Sequence, residues 1–115
     1  MAQYTNHFET GFDDLLSYVE DSVKKGSVSA SMEGGSDFAL GNVRCATRIF
    51  ERYSMIGNNR LSLSVTLFGQ DGDVHLSAVA SGGSQAMFFK INTFGEEAFL
   101  NKFIDGLENY QRGRQ

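Results

Sequence analysis

The chain has 115 residues, of which 41% are hydrophobic, and it carries a formal net charge of −4 with an isoelectric point near 5.0. This length supplies one hydrophobic core and leaves no room for a second, so we expect a single domain over residues 1–115. The acidic balance argues against a general binder of nucleic acids or anionic membranes, because such proteins carry an excess of basic residues.

Cysteine and histidine usage limits the chemistry that the chain can perform. The single cysteine, Cys45, cannot form an internal disulfide, and the sequence contains neither a signal peptide nor a long apolar run. These features are typical of a cytoplasmic protein without a membrane segment. The two histidines, His7 and His75, are too far apart in sequence for any recognised metal-binding spacing, so we expect no metal and no cofactor.

The first predicted elements are a short strand and an amphipathic helix. Residues 2–8 alternate weakly and predict an edge strand. The apolar residues then follow helical spacing, with two acidic residues in the first turn and two lysines in the last. These apolar positions are Phe12, Leu15, Leu16, Val19 and Val23. A helix is therefore predicted over residues 12–25.

A second strand and a loop are predicted next. Val28, Ala30 and Met32 alternate with serines, which indicates a strand with one apolar side and one hydroxyl side. Residues 34–42 are rich in glycine and predict a loop. Phe38 and Leu40 within this loop are expected to pack against the core.

Residues 43–81 predict three antiparallel strands joined by tight turns. The strands cover residues 43–53, 61–68 and 74–81, and the turns lie in the Asn- and Gly-containing segments 57–59 and 70–73. In the second and third strands, aliphatic residues alternate with serine, threonine and histidine, so one side of each strand is apolar. In the first strand we assign Val43, Cys45, Thr47, Ile49 and Tyr53 to the core, which turns Arg44, Ala46, Arg48, Phe50 and Arg52 outward.

The last part of the chain combines a glycine-rich segment with a helix. Gly82-Gly83-Ser84-Gln85 lacks the Gly-Lys-Ser/Thr ending of a phosphate loop, so a turn or bulge is favoured. Residues 86–91 either continue the last strand or form a short segment of their own. Thr93 and Glu96 match a capping box, and the apolar residues that follow predict a helix over residues 94–111.

The predicted order is strand, helix, four strands, helix, which is an α+β arrangement. Both helices are amphipathic and the sheet has one apolar face, so both helices are expected to cover that face in a two-layer sandwich. This connectivity resembles a repeat of the TATA-box-binding-protein fold, in which a curved antiparallel sheet carries helices on its convex side. The resemblance implies a curved sheet whose other side is open, and it implies no particular function.

Short stretches of the sequence carry a second resemblance. They are Gly26-Ser27-Val28-Ser29-Ala30-Ser31, Ser36-Asp37-Phe38, Val43-Arg44-Cys45, Phe50-Glu51-Arg52-Tyr53-Ser54, Ser81-Gly82-Gly83-Ser84-Gln85-Ala86 and Phe88-Phe89-Lys90-Ile91-Asn92-Thr93-Phe94-Gly95-Glu96-Glu97. Together they span nearly the whole chain. Through these stretches the chain resembles a family of small bacterial proteins of unknown function. The resemblance implies a single-domain bacterial protein, and it assigns no activity, cofactor or site.

The predicted open face of the sheet is the candidate site. Its polar members are Arg44, Arg48, Arg52, Ser29, Ser31, Ser62, Ser64, Thr66, His75, Ser77 and Ser81. Arginines four residues apart on a strand lie about 13 Å from each other, so a carboxylate or phosphate would contact one guanidinium and the neighbouring hydroxyls. Gln85 and Lys90, at and after the glycine-rich segment, mark the second place where a ligand is expected.

Besides binding in the minor groove of DNA, which the acidic and lysine-poor sequence disfavours, four interpretations of this face are open. The first is a solvated surface whose arginines pair with Glu33, Glu51 or Asp73. The second is self-association about a two-fold axis, in which Phe50 and Phe68 are expected to be exposed and to contact a second copy. The third is binding of a small anion. The fourth is an enzyme centred on His75 and the arginines, but a lone surface histidine is usually not catalytic. We favour a non-enzymatic module that binds a second copy of itself, with a small anionic ligand as the alternative.

Overall fold

The computed structural model describes residues 1–24, 30–54, 59–82 and 89–113. Within these ranges the chain forms five strands and two helices. In chain order they are β1 (Ala2–Glu9), α1 (Phe12–Lys24), β2 (Ser31–Leu40), β3 (Val43–Ser54), β4 (Asn59–Gln70), β5 (Asp73–Gly82) and α2 (Phe89–Gly113). The order of strand, helix, four strands, helix is the predicted one.

The strands form one antiparallel sheet in the order β1-β5-β4-β3-β2. β2 to β5 pair with their neighbours in sequence, whereas β1 pairs with β5 at the opposite edge. α1 packs against β2, β3 and β4, α2 packs against β1, β4 and β5, and the two helices contact each other. The predicted α+β sandwich, with both helices on one face of the sheet, is therefore confirmed.

A two-residue turn at Asp71 and Gly72 joins β4 to β5. Both residues have a positive φ, of 52° and 85° respectively. This is the geometry of a type I′ turn, which matches the twist of the flanking strands and favours the Asp-Gly sequence found at this position. The turn predicted at residues 70–73 is confirmed.

The core lies between the helices and the apolar side of the sheet. Alternate residues of β4 and β5 are buried and pack with the apolar residues of both helices. The largest fully buried side chains are Phe50, Phe99, Phe103, Leu15, Leu61, Leu63, Leu67, Leu76, Leu107, Val19 and Val65. The sides that the sequence predicts for β4 and β5 are confirmed.

β3 has the opposite orientation from the prediction. Ala46 and Phe50 are fully buried under the helices, whereas Cys45 and Ile49 are half-buried on the other side. Residues directly opposite each other in an antiparallel pair point to the same face, and Phe50 pairs with the buried Leu63. The phenylalanine ring removes more apolar area from water than Ile49 would, and this gain favours the observed orientation.

The glycine-rich segment predicted as a loop is the edge strand β2. Phe38 pairs with Cys45, and Leu40 pairs with Val43, on the side away from the helices. Phe38 is 67% exposed and Leu40 is 84% exposed, so the prediction that they pack against the core is wrong. Every residue of β2 is exposed, which explains why its sequence lacks the apolar alternation of a half-buried strand.

α2 begins at Phe89, earlier than the predicted start at residue 94. Thr93 therefore lies inside the helix, and the prediction of a capping box at its start is wrong. Residues 89–91 are helical and do not continue the last strand. In the part of the chain that the structure describes, neither helix is long and apolar enough to span a membrane.

Some predictions fall on residues outside the described ranges. They are the first residues of the strand predicted around Val28 and Ala30, most of the turn at 57–59, the bulge at Gly83, residues 86–88 of the segment predicted at 86–91 and the ligand-binding role of Gln85.

Candidate functional site

The three arginines of β3 lie on the helix-covered side of the sheet. Arg44, Arg48 and Arg52 each pair directly with a buried residue of β4. Their predicted position on the open face is therefore wrong. The carboxylates that two of them contact belong to α1 and β2, and none of these is an acidic residue that the sequence suggested as a partner.

Arg48 is the most enclosed of the three. Its Nε donates to Oε2 of Glu20 in α1 at 2.8 Å, and its Nη2 donates to Oδ1 of Asp37 in β2 at 3.1 Å. Its Nη1 donates to the carbonyl oxygens of Thr47 at 2.7 Å and Ser36 at 3.3 Å. The bond to Glu20 raises the pKa of Arg48 most, burial opposes this rise, and Asp37 adds to it. Arg48 is therefore a structural cation that joins α1 to β2.

Gly35 pairs with Arg48 and leaves the space that this side chain fills. A Cβ atom on Gly35 would lie 2.8 Å from the carbonyl oxygen of Thr47 and 2.9 Å from Cδ of Arg48. We expect Gly35→Ala to lower the free energy of unfolding by about 1–2 kcal/mol, because β2 must shift away from β3. Urea denaturation measures this change. Gly34→Ala is the control, since a Cβ atom there meets nothing within 4 Å, and equal losses for both variants would contradict the argument.

Arg44 and Arg52 both lie over aromatic rings, but they differ in whether a carboxylate of the described residues also contacts them. The guanidinium carbon of Arg44 is 4.4 Å from the centre of the Phe12 ring, and its Nη1 is 2.8 Å from Oδ1 of Asp13. The guanidinium carbon of Arg52 is 4.6 Å from the centre of the Phe99 ring. No carboxylate among the described residues forms an ion pair with Arg52. Burial lowers the pKa of Arg52.

A cavity of about 560 Å³ lies beside the end of β3. It is lined by Val23, Ala30, Ser31, Glu51, Arg52, Tyr53 and Arg60. Within the described part of the chain, β2 pairs with β3 as far as Ser31 and Glu51, and the cavity lies beside the residues of β3 that follow Glu51. Its described lining therefore combines Arg52 with hydroxyl and apolar groups.

The side of the sheet opposite the helices, which we name the open face, is organised in rows that cross all five strands. The hydroxyl row consists of Thr5, Ser77, Thr66, Thr47 and Ser36. The aromatic row beside it consists of His7, His75, Phe68, Cys45 and Phe38. The third row consists of Gln3, Val79, Ser64, Ile49 and Gly34. None of these residues is Asp, Glu, Lys or Arg.

The two histidines meet at one end of the aromatic row. His7 pairs with His75 between β1 and β5, and the centres of their rings are 4.8 Å apart. Nε2 of His7 lies 3.1 Å from Oδ1 of Asp73, which orients the ring. The histidines line a second cavity, of about 410 Å³, with Thr5, Asn6, Thr66, Phe68, Leu76 and Ser77. Only the register of β1 on β5 reveals this contact, because the sequence separates the two histidines widely.

The predicted site residues fall into separate groups. Ser62, Ser64, Ser77 and His75 are on the open face, where the serines are half-buried and His75 is exposed. The arginines are on the other side of the sheet, so an enzyme that uses His75 together with them is not assembled. Lys90 belongs to α2, and Gln85 lies outside the described ranges. No group of three or more His, Cys, Asp or Glu side chains in the described part of the chain is placed to hold a metal ion.

No curated protein and no solved structure matches the chain. The likeness to a TATA-box-binding-protein repeat therefore rests on connectivity and stays a prediction. A family model does match, and it covers residues 1–111, which include all five described strands and nearly all of α2. The chain therefore belongs to this family, which is described as a family of unknown function (DUF6054).

Proposed function

We propose that the protein is a self-associating module whose open face packs against the open face of a second copy. The observation that supports this proposal is the composition of the three rows, whose fifteen residues include no Asp, Glu, Lys or Arg. Charged residues make up 21% of the chain, so about three such residues would be expected at random among these positions. A surface that stays in water has no reason to exclude charge, whereas a surface that is covered does.

Neutral hydroxyl groups suit a contact between two identical faces. Each serine or threonine hydroxyl donates one hydrogen bond and also accepts, so two hydroxyl rows that face each other can satisfy one another. No carboxylate, ammonium or guanidinium group has to leave water at the centre of the contact, which is the step that makes buried charges unfavourable. The charged groups behind the formal net charge of −4 on each copy lie outside these rows and can stay hydrated in the proposed contact.

Exposed apolar side chains are concentrated at one corner of the open face. Phe38 and Phe68 flank Cys45 in the aromatic row, and Phe68 is 53% exposed. Leu40 follows Phe38 on the same side of β2. Adjacent large apolar side chains mark interaction surfaces, whereas scattered ones do not. We assign these phenylalanines and Leu40 as the anchor of the proposed interface.

The area of the open face reaches the lower limit for a stable dimer. Five strands spaced about 4.8 Å apart, with about eight residues each and about 3.3 Å per residue, give roughly 600 Å² per copy. Two copies would bury roughly 1,200 Å² in total, where specific and stable interfaces begin. We therefore expect a dimer that dissociates on dilution.

The setting that we propose is the cytoplasm of a bacterial cell. Cys45 is half-buried in the aromatic row, and the second copy would cover it. A reducing compartment keeps such a cysteine as a thiol, whereas an oxidising one favours a disulfide between two copies.

Phe68→Ser is expected to weaken the dimer by about tenfold or more, because it removes one of the two aromatic rings assigned as the anchor of the interface. Sedimentation equilibrium over a concentration series measures the effect. Met32→Ser is the matched control, since Met32 is also an exposed side chain but pairs with Phe50 and lies on the helix side of the sheet. A mass that stays monomeric at every concentration, or equal weakening by the two substitutions, would contradict the proposal.

A further inference from the structure

The arginines of β3 differ in the number of carboxylates that balance their charge. Arg48 contacts two carboxylates, Arg44 contacts one, and Arg52 contacts none among the described residues. All 14 Asp and Glu residues of the chain lie within the described ranges, and none of their carboxylates forms an ion pair with Arg52. Arg52 is therefore available to pair with an anion from outside the chain.

A cation that is partly withdrawn from water without an anionic partner is unfavourable. Burial lowers the pKa of Arg52, which is the effect of desolvation without compensation by a carboxylate. The Phe99 ring, 4.6 Å from the guanidinium carbon, compensates the charge in part. A guanidinium also presents a planar fork of N–H groups that can donate two parallel hydrogen bonds to one carboxylate.

The cavity beside Arg52 has room for more than an inorganic ion. Its volume of about 560 Å³ is within the range of small-molecule sites, about 300–1,000 Å³. Val23, Ala30 and the ring of Tyr53 give it apolar walls, and Ser31 adds a hydroxyl group. Such a lining suits an organic ligand with an apolar body and one charged group.

The charges around the cavity favour an anion with a single negative charge. Arg60 also lines the cavity, but its Nη2 lies 2.9 Å from Oε1 of Glu51, which is another lining residue. The same Nη2 lies 3.9 Å from Oε2 of Glu33, so two carboxylates balance Arg60, and Arg52 is the guanidinium among the described lining residues that no carboxylate balances. Glu51 would repel a second negative charge, such as that of a phosphate dianion.

We propose that the cavity at the end of β3 binds a small monocarboxylic acid with an apolar body, and that its carboxylate pairs with Arg52. The proposal is independent of self-association, because Arg52 lies on the helix side of β3 and outside the three rows of the open face. A failure of one proposal therefore leaves the other untouched.

Isothermal titration calorimetry with benzoate as the probe tests the proposal. Benzamide is the neutral analogue with the same ring, and inorganic phosphate is the anion without an apolar body. We expect benzoate to bind, and the other two compounds to bind about tenfold or more weakly, because each lacks one of the two recognised features. Benzamide or phosphate binding as tightly as benzoate, or benzoate not binding at all, would overturn the assignment.

Arg52→Gln is expected to weaken benzoate binding by about tenfold to a hundredfold, because the charge-assisted pair is lost. Arg44→Gln is the matched control, since Arg44 is on the same side of β3 and also lies over an aromatic ring but already has Asp13 as its partner. Without ligand, Arg52→Gln is expected to unfold at the same temperature as the unmodified chain or higher, because it removes an unbalanced cation.

Arg52→Lys is the second variant, because it keeps the charge and removes the planar fork. We expect it to bind benzoate more weakly than the unmodified chain and more tightly than Arg52→Gln. Unchanged affinity in both Arg52 variants, or an equal loss in Arg44→Gln, would show that Arg52 does not hold the carboxylate.

Discussion

Phe50→Ala is expected to lower the free energy of unfolding by about 3–5 kcal/mol. Phe50 has 0% exposure, pairs with Leu63 across β3 and β4, and belongs to the cluster that includes residues of both helices. Removing the ring forfeits its burial and leaves a void that the surrounding strands and helices close incompletely. Urea unfolding followed by circular dichroism measures the loss.

Ile49→Ala is the control for Phe50→Ala, because Ile49 is the next residue and lies on the open face, where it is half-buried. We expect it to lower the free energy of unfolding by about 1 kcal/mol or less. Both variants should be measured at low protein concentration, where the proposed dimer does not add to stability. A larger loss for Ile49→Ala than for Phe50→Ala would mean that β3 has the orientation favoured by its sequence alone.

β4 and β5 were predictable because each strand is internally consistent. Every odd residue from Leu61 to Leu67 is aliphatic, and the intervening residues from Ser62 to Thr66 are hydroxylic, so one orientation is clearly better. α1 and the Asp71-Gly72 turn were predictable for a similar reason, since helical spacing and positive φ are local requirements. Local agreement of this kind does not depend on partners elsewhere in the chain.

β3 could not be oriented from its own residues, because both of its sides mix apolar and polar groups. The side with Phe50 also carries the arginines, which a local pattern assigns to water. Partners distant in sequence reverse this assignment: Glu20 and Asp37 lie 28 and 11 residues from Arg48. The sequence contains these carboxylates but does not show that α1 and β2 bring them to β3.

The same distinction between local patterns and distant contacts decides which parts of the candidate sites were predictable. The serines of β4 and β5 were placed on the open face correctly, because the alternation of those strands is unambiguous. The contact of His7 with His75 depends on the register of β1 on β5, and the cavity at Arg52 depends on residues that α1, β2, β3 and β4 bring together. Neither arrangement leaves a signal within a few residues of sequence.

Glu20→Ala is expected to lower the free energy of unfolding by about 2–3 kcal/mol. The Arg48 side chain is only 11% exposed, so it cannot regain full hydration when the carboxylate at 2.8 Å is removed. The contacts with Asp37 and with the carbonyl oxygens of Thr47 and Ser36 remain, which limits the loss. Urea unfolding gives the value, and Glu108→Ala is the control, because Glu108 pairs with Arg112 at the surface at 3.5 Å and should change stability by about 0.5 kcal/mol or less.

Arg48→Met tests whether the fold requires the positive charge of Arg48, or requires only that this charge be paired with a carboxylate when it is present. A methionine fills part of the same space without requiring an anion, and buried ion pairs replaced by apolar residues often leave stability unchanged. We therefore expect Arg48→Met to cost less than Glu20→Ala, and the double variant Glu20→Ala/Arg48→Met to resemble Arg48→Met alone. If the two losses instead add, Glu20 stabilises the fold by a route other than Arg48, and the guanidinium is not what fixes α1 against β2.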